Sequence, residues 1–134
     1  MLKLLFLLLV FGGFSMASEA SEKENILVFD GHNVAFLSGA DTLFLGDRKQ
    51  GNNISIQIKI RNESSGIFQM SNVRGSCGLS IPSWPRNPIN PGEEQIIQIR
   101  FDASNPGLYT KILTIHSNTQ NSRTIIPVVA EIVP

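Results

Sequence analysis

The sequence predicts an all-β domain, a sandwich of about seven to eight short antiparallel strands, preceded by an export leader. Three observations point there. Isoleucines alternate with polar residues over residues 53–61. The same alternation returns over 95–102 and 123–133. Clusters of Gly, Pro, Asn and Ser interrupt these runs at short intervals, and no stretch carries a helical period.

The chain opens on Lys3 before an apolar run over residues 4–11, followed by Gly12, Gly13 and the small-x-small series Ser15-Met16-Ala17. A basic tip, a short apolar stretch and small residues make a secretory signal peptide, cleaved after Ala17, with Ala20 as the alternative. A membrane anchor would need roughly 20 apolar residues, more than this run offers. The only cysteine, Cys77, lies far from the cleavage site, so no lipid anchor is expected there. Residues 18–25 are polar and read as a flexible lead. Residues 26–134 then make one domain, long enough to bury a core without a metal or disulfide staple.

Within that domain, 26–29, 34–37 and 42–45 are short extended runs. The clearest strand places Ile54, Ile56, Ile58 and Ile60 on one face and Ser55, Gln57, Lys59 and Arg61 on the other. Asn62-Glu63-Ser64-Ser65-Gly66 reads as a turn, and 67–73 resumes the extended pattern. Pro82, Pro85, Pro88 and Pro91 recur every third residue, which predicts a rigid loop over 81–92 crossing between sheets. Ile97, Ile99 and Phe101 point inward in the following strand. Residues 108–116 form the next, where Ile112, Leu113 and Ile115 share no single parity and suggest a bulge. In the last strand Ile126, Val128, Ala130 and Ile132 share one face. Pro127 within it lacks an N–H, which predicts an edge or an irregular strand. Connections too short for helical crossovers predict antiparallel pairing throughout.

Charge narrows the function. Eleven Lys and Arg balance eleven Asp and Glu, and apart from Arg48-Lys49 the basic residues are dispersed. Nucleic-acid binding wants a clustered basic face, so no nucleic-acid partner is expected. His32 and His116 are the only histidines, and no Gly-x-Ser-x-Gly elbow accompanies them. Neither a catalytic constellation, a metal-ligand spacing nor a phosphate-cradling loop is legible, so no enzyme activity, metal or cofactor is expected.

Three residues stand out as possible interaction sites: Trp84, Cys77 and Pro127. Trp84 on its proline-stiffened loop could present a rigid contact to a protein or a sugar, or fold back and close one end of the core. An unpaired Cys77 is expected to act as a small buried hydrophobe. A reactive thiol, or a disulfide to another chain, is the alternative. Pro127 marks a candidate sheet edge that could accept a partner strand. Asn53-Ile54-Ser55 and Asn62-Glu63-Ser64 match N-glycosylation sequons, read here as chance. Asp41-Thr42-Leu43 matches an Asp-Thr-apolar O-glycosylation acceptor.

The series Val73-Arg74-Gly75-Ser76-Cys77-Gly78, then Pro82 and Trp84, then Ile89-Asn90-Pro91-Gly92-Glu93, resembles a bacterial secreted family, domain of unknown function 1573, common in Bacteroidetes. Ile97-Gln98-Ile99-Arg100-Phe101-Asp102, Gly107, Lys111 to Ile115 and Ser117-Asn118 continue the resemblance, as does Gly46 upstream. It implies an immunoglobulin-like sandwich, similar to sperm-protein and cilia-associated modules, and it implies export without an established activity. Many members carry a second cysteine two positions after the first. Leu79 stands there in this chain, so no function needing two thiols is implied.

Taken together, the expectation is a non-catalytic module, secreted or periplasmic, meeting a protein partner in the cell envelope and spanning no membrane after cleavage. The alternatives are a carbohydrate-binding module using Trp84 and a thiol-dependent redox protein using Cys77. The leader is checked by mass spectrometry of protein recovered outside the cytoplasm: its N terminus is expected at Ser18, and an intact Met1 would rule cleavage out.

Overall fold

A computed structural model describes residues 25–134, which form nine strands in two facing sheets. In chain order these are β1 (Ile26–Phe29), β2 (Val34–Phe36), β3 (Leu43–Lys49), β4 (Ile54–Asn62) and β5 (Met70–Gly75). They are followed by β6 (Leu79–Ser83), β7 (Glu94–Phe101), β8 (Gly107–Ser117) and β9 (Arg123–Val133). The five-stranded sheet runs β2-β1-β4-β7-β6 and the four-stranded sheet β3-β9-β8-β5. The expected leader and most of the lead, residues 1–24, lie outside the described residues.

Alternation builds the core as the sequence suggests. Ile56, Ile58 and Ile60 of β4 and Ile97, Ile99 and Phe101 of β7 are buried from one sheet. Leu113 and Ile115 of β8 and Ile126, Val128, Ala130 and Ile132 of β9 meet them from the other. Fully burying one such side chain is worth about 1.5–3 kcal/mol before chain entropy is counted. Phe29 and Phe68 close one end of this layer, their ring centroids 4.5 Å apart.

Four expectations change. Pairing is mixed, because β1 runs parallel to β4 and β3 parallel to β9. Short connections enforce antiparallel pairing only between consecutive strands of one sheet. Here the chain leaves the larger sheet after β2, lays down β3 in the smaller one, and returns at β4. Second, the proline-rich segment is not loop throughout and does not cross between sheets, since it joins β6 to β7 within the larger one. Leu79–Ser83 forms β6 at a sheet edge, where Pro82 costs no ladder bond, and the register against β7 shifts between Ser80 and Ser83.

Third, β8 contains no bulge against β9. Its register is unbroken from Gly107 opposite Ile132 to His116 opposite Arg123, and Ile112 simply faces outward. Fourth, Pro127 is not on an edge: β9 lies between β3 and β8. Its neighbour Ile112 turns both backbone groups to Ser76. Ser76 N–H donates to the Ile112 carbonyl at 2.9 Å, and Ile112 N–H donates to Ser76 Oγ at 2.8 Å. The Ile112–Pro127 pair is therefore one that exchanges no ladder bonds. The proline's missing N–H faces β3, whose ladder begins only at Leu43 opposite Val128.

The turn after β4 hides a structural anchor. Asn62 is fully buried at the strand end, and its Nδ2 donates to the carbonyls of Gly66 and Ile89, both at 2.8 Å. Its Oδ1 accepts from Ser64 N–H at 2.9 Å and from Ser64 Oγ at 2.6 Å. One side chain thus ties the β4–β5 turn to the β6–β7 connection, and both amide hydrogens are used, so this sequon has no free nitrogen to glycosylate. Asn62→Ala removes the acceptor of Ser64 N–H and one of the two donors to each carbonyl, Gly66 keeping Ser64 Oγ and Ile89 keeping Phe68 N–H, which should cost about 1–3 kcal/mol in urea unfolding. Asn53→Ala, at the exposed asparagine of the other sequon, should fall within about 0.5 kcal/mol.

Candidate functional site

The two outer faces of the sandwich differ in chemistry. Cross-strand rows on the larger sheet pair Ser55 with Arg100, Gln57 with Gln98 and Arg61 with Glu94, the last as a 2.9 Å ion pair. The remaining row sets Lys59 beside Ile96, which is 42% exposed, so this face is solvated and mostly polar. The smaller sheet is different because β8 and β9 carry apolar residues on both parities. Phe44 of β3 sits beside Val129 of β9, which sits beside Thr110 of β8. The next rows are Pro127 beside Ile112 and Ile125 beside Thr114, which adjoins Arg74 of β5. Phe44 is 69% exposed, Leu108 74% and Ile125 53%. Three of the six exposed large apolar side chains among the described residues thus lie on this face, the others being Leu37, Ile67 and Ile96, and such a group is the usual mark of a contact surface.

Charge brackets that apolar centre. Asp47 and Glu131 form one row at the end where Leu108 lies, and Arg123 lies at the other end with His116 beside it. A hollow of about 480 Å³ lined by Ser38, Gly39, Ala40, Thr42, Leu43 and Phe44 adjoins the β3 side. Thr42 of the Asp-Thr-Leu tripeptide lies in its wall, its Oγ1 donating to Asp41 Oδ1 at 3.1 Å.

The edges are guarded rather than open. β2 is three residues long and β6 carries Pro82. β3 is bulged between Phe44 and Gly46, and Arg48 Nε donates to the Leu45 carbonyl at 2.9 Å. β5 is irregular between Met70 and Asn72, and Asn72 Oδ1 accepts from Val73 N–H at 3.0 Å. Short, bulged and proline-bearing edges discourage strand addition. The expectation that an edge near Pro127 receives a partner strand is therefore corrected: Pro127 contributes to the outer face of the sheet instead.

Trp84 follows β6 and is half-buried against the core, with the Arg86 guanidinium 4.3 Å from the ring centroid. One ring face thus stacks on a cation. Cys77 is exposed, against the expected burial. It occupies a tight turn closed by Leu79 N–H donating to the Ser76 carbonyl at 2.9 Å, with Gly78 at φ +88°. Leu79 is the residue that the turn sends inward. Gly75 permits this approach, since a Cβ there would lie 1.9 Å from the Leu79 carbonyl oxygen. The Cys77 turn crosses between the sheets from β5 to β6, Trp84 follows β6 beside the larger sheet, and Pro127 lies on the outer face of the smaller one, so the three do not form one site.

Two carboxylates anchor loops. Hydrogen bonds from Ser104, side chain first and then N–H, hold Asp102 below the usual carboxylate range, with Lys111 adding to the effect. The N–H groups of Asn33 and then His32 do the same for Asp30. A depressed folded pKa means that both contributions are present at neutral pH and fade as pH falls below about 4. Among the described residues, no group of three His, Cys, Asp or Glu could hold a metal ion. Sequence reasoning missed Asn62 and the outer face; the signal for the second was the apolar character of both parities in β9.

With its thiol exposed, the native protein should react with a thiol reagent at neutral pH within about tenfold of the unfolded chain. Cys77→Ser should change stability by no more than about 0.5 kcal/mol. A native rate a thousandfold slower would show a thiol folded beneath the turn.

Comparison with known proteins places this geometry. No curated protein sequence matches the chain significantly. Among solved structures, a protein of unknown function from Porphyromonas gingivalis W83 superposes with a TM-score of 0.59 at 24% identity, covering 69% of this chain and 44% of that one. The secreted serine protease VesC from Vibrio cholerae matches at 0.57 and 11%, over 68% of this chain and 22% of its own. The ASH/PapD-like domain 7 of human CEP192 matches at 0.53 and 7%, over 69% and 81%. These likenesses show the sandwich fold alone, and the chain spans less than half the length of the first two. The sequence profile of a family described as "Protein of unknown function (DUF1573)" matches residues 38–132, most of the chain, and the protein belongs to that family.

Proposed function

We propose that this chain is an exported, non-catalytic β-sandwich module of a bacterial cell envelope that works by binding protein. The observation that supports the reading most strongly is the apolar outer face of β3-β9-β8-β5, with Phe44, Leu108 and Ile125 more than half exposed. Large apolar side chains on an open sheet face gain free energy only when something covers them. Guarded edges direct that contact to the face rather than to strand addition.

The carbohydrate reading calls for a tryptophan face free to stack on a sugar ring. Arg86 over Trp84 and the packing of that side chain against the core speak against it. The thiol reading draws support from the exposure of Cys77, and is weakened by the absence of a second cysteine to resolve a disulfide.

Capture with the native protein separates the three. Partner proteins retained from cell-envelope extracts should be lost with Phe44→Ser and Ile125→Thr, and kept with Trp84→Ala and Cys77→Ser. Loss confined to Trp84→Ala would favour the sugar reading, and loss confined to Cys77→Ser the thiol reading.

A further inference from the structure

We propose that the outer face of the β3-β9-β8-β5 sheet is a homodimer interface. Two copies pack face to face, with β9 of one antiparallel to β9 of the other about a twofold axis through the Pro127–Ile112 row. This rests on the interaction-module reading and names both the face and the partner.

The outward residues of β9 carry the argument. From Arg123 to Glu131 they are Arg123, Ile125, Pro127, Val129 and Glu131, with Val133 beyond them at the strand end and the buried residues between them facing the core. The series is complementary to its own reverse. An antiparallel twofold at Pro127 sets Ile125 against Val129 and Arg123 against Glu131, twice each. Isologous packing requires such self-complementarity of one patch. Turning the second copy so that the strands run parallel would set Glu131 on Glu131 and Arg123 on Arg123. Like charges across an apolar contact exclude that arrangement, so charge selects the antiparallel one.

The neighbouring strands agree. Ile112 lies on the axis row, and Thr110 and Thr114 of β8 exchange places under the same rotation. Asp47, beside Glu131 on β3, strengthens the acidic end that faces the partner's Arg123.

Size suits a weak, reversible pair. With β8 and β9 of eleven residues, β3 of seven and β5 of six, about 3.3 Å per residue and about 4.8 Å between strands give a face of about 550 Å² in projection. Two such faces total about 1,100 Å², the size of a transient interface. The segment before the domain is a poor competitor for the face. Ser18-Glu19-Ala20-Ser21-Glu22-Lys23-Glu24 has only one apolar residue, an alanine, to lay on it.

Sedimentation equilibrium of the protein as recovered from cells tests this, with circular dichroism to confirm that each variant folds. The protein is expected to dimerise reversibly at micromolar concentrations, and Ile125→Lys to leave it monomeric. Arg123→Glu and Glu131→Arg, each alone, should weaken the dimer by about tenfold or more, and the two together should restore it to within about threefold. A protein that is monomeric at every concentration overturns the proposal, as does a dimer indifferent to Ile125→Lys. A double variant no tighter than the singles overturns the antiparallel arrangement. A monomer that still captures envelope proteins through Phe44 and Ile125 overturns self-association while leaving the interaction module in place.

Discussion

Burial of one aliphatic layer between two sheets is the constraint on which the rest of the structure depends. Ile58, Ile60, Ile97 and Ile99 face Leu113, Ile115, Val128, Ala130 and Ile132, all almost fully enclosed. The lone cysteine is exposed, so no cross-link within the chain shares this role. Everything that shapes the surface follows from satisfying that layer first. Residues of one parity are committed to it, and only the other parity remains free to meet solvent or a partner.

At the end that Phe29 and Phe68 close, polar chemistry completes the seal. Where β4 leaves the core its next inward position is Asn62, whose amide serves two carbonyls and whose oxygen holds Ser64. A leucine there would bury the same space but leave the Ser64 N–H without its acceptor and each carbonyl with one donor fewer, at a cost comparable to the hydrophobic gain. Across the molecule, no buried side-chain nitrogen or oxygen among the described residues lacks a partner. Polar groups are admitted to the interior only where a turn needs them.

The freedom left to the outward parity is used differently on the two sheets. The larger sheet fills it mostly with Ser, Gln, Lys and Arg, with Ile96 among them, and closes one row with the Arg61–Glu94 pair, an exposed contact of small energetic weight. On the smaller sheet it is filled with Ile125, Pro127, Val129 and Ile112. Such a face is a liability for a solitary domain and a resource for an assembling one. The same chain protects its edges with a bulge, a proline, a side-chain cap and a strand of only three residues. Protection at the edges together with apolar exposure on a face points to contact through side chains, with the backbone kept out of it.

What the sequence determined by itself was whatever rests on neighbours two residues apart. The inward isoleucines of β4 and β7 and the apolar series of β9 were legible because strand parity is local, and turn residues delimited most strands. Family membership was legible too, in the glycines, prolines and cysteine between residues 73 and 93. Only the tertiary structure decided which strand lies beside which. Parallel β1–β4 and β3–β9 pairs arise because the chain changes sheets between β2 and β4, a non-local choice that no short pattern encodes. Pro127 looked like an edge residue because its missing N–H was visible in the sequence. The turn of Ile112 toward Ser76, and the late start of the β3 ladder, were not. Cys77 was expected inside because small apolar residues are commonly buried, but a turn closing at Ser76–Leu79 has one inward position and Leu79 takes it. The candidate interface shares this origin. Outward apolar residues can be counted in a strand, but their gathering on one face needs β3, β9 and β8 side by side, in a register set by the burial of their other halves.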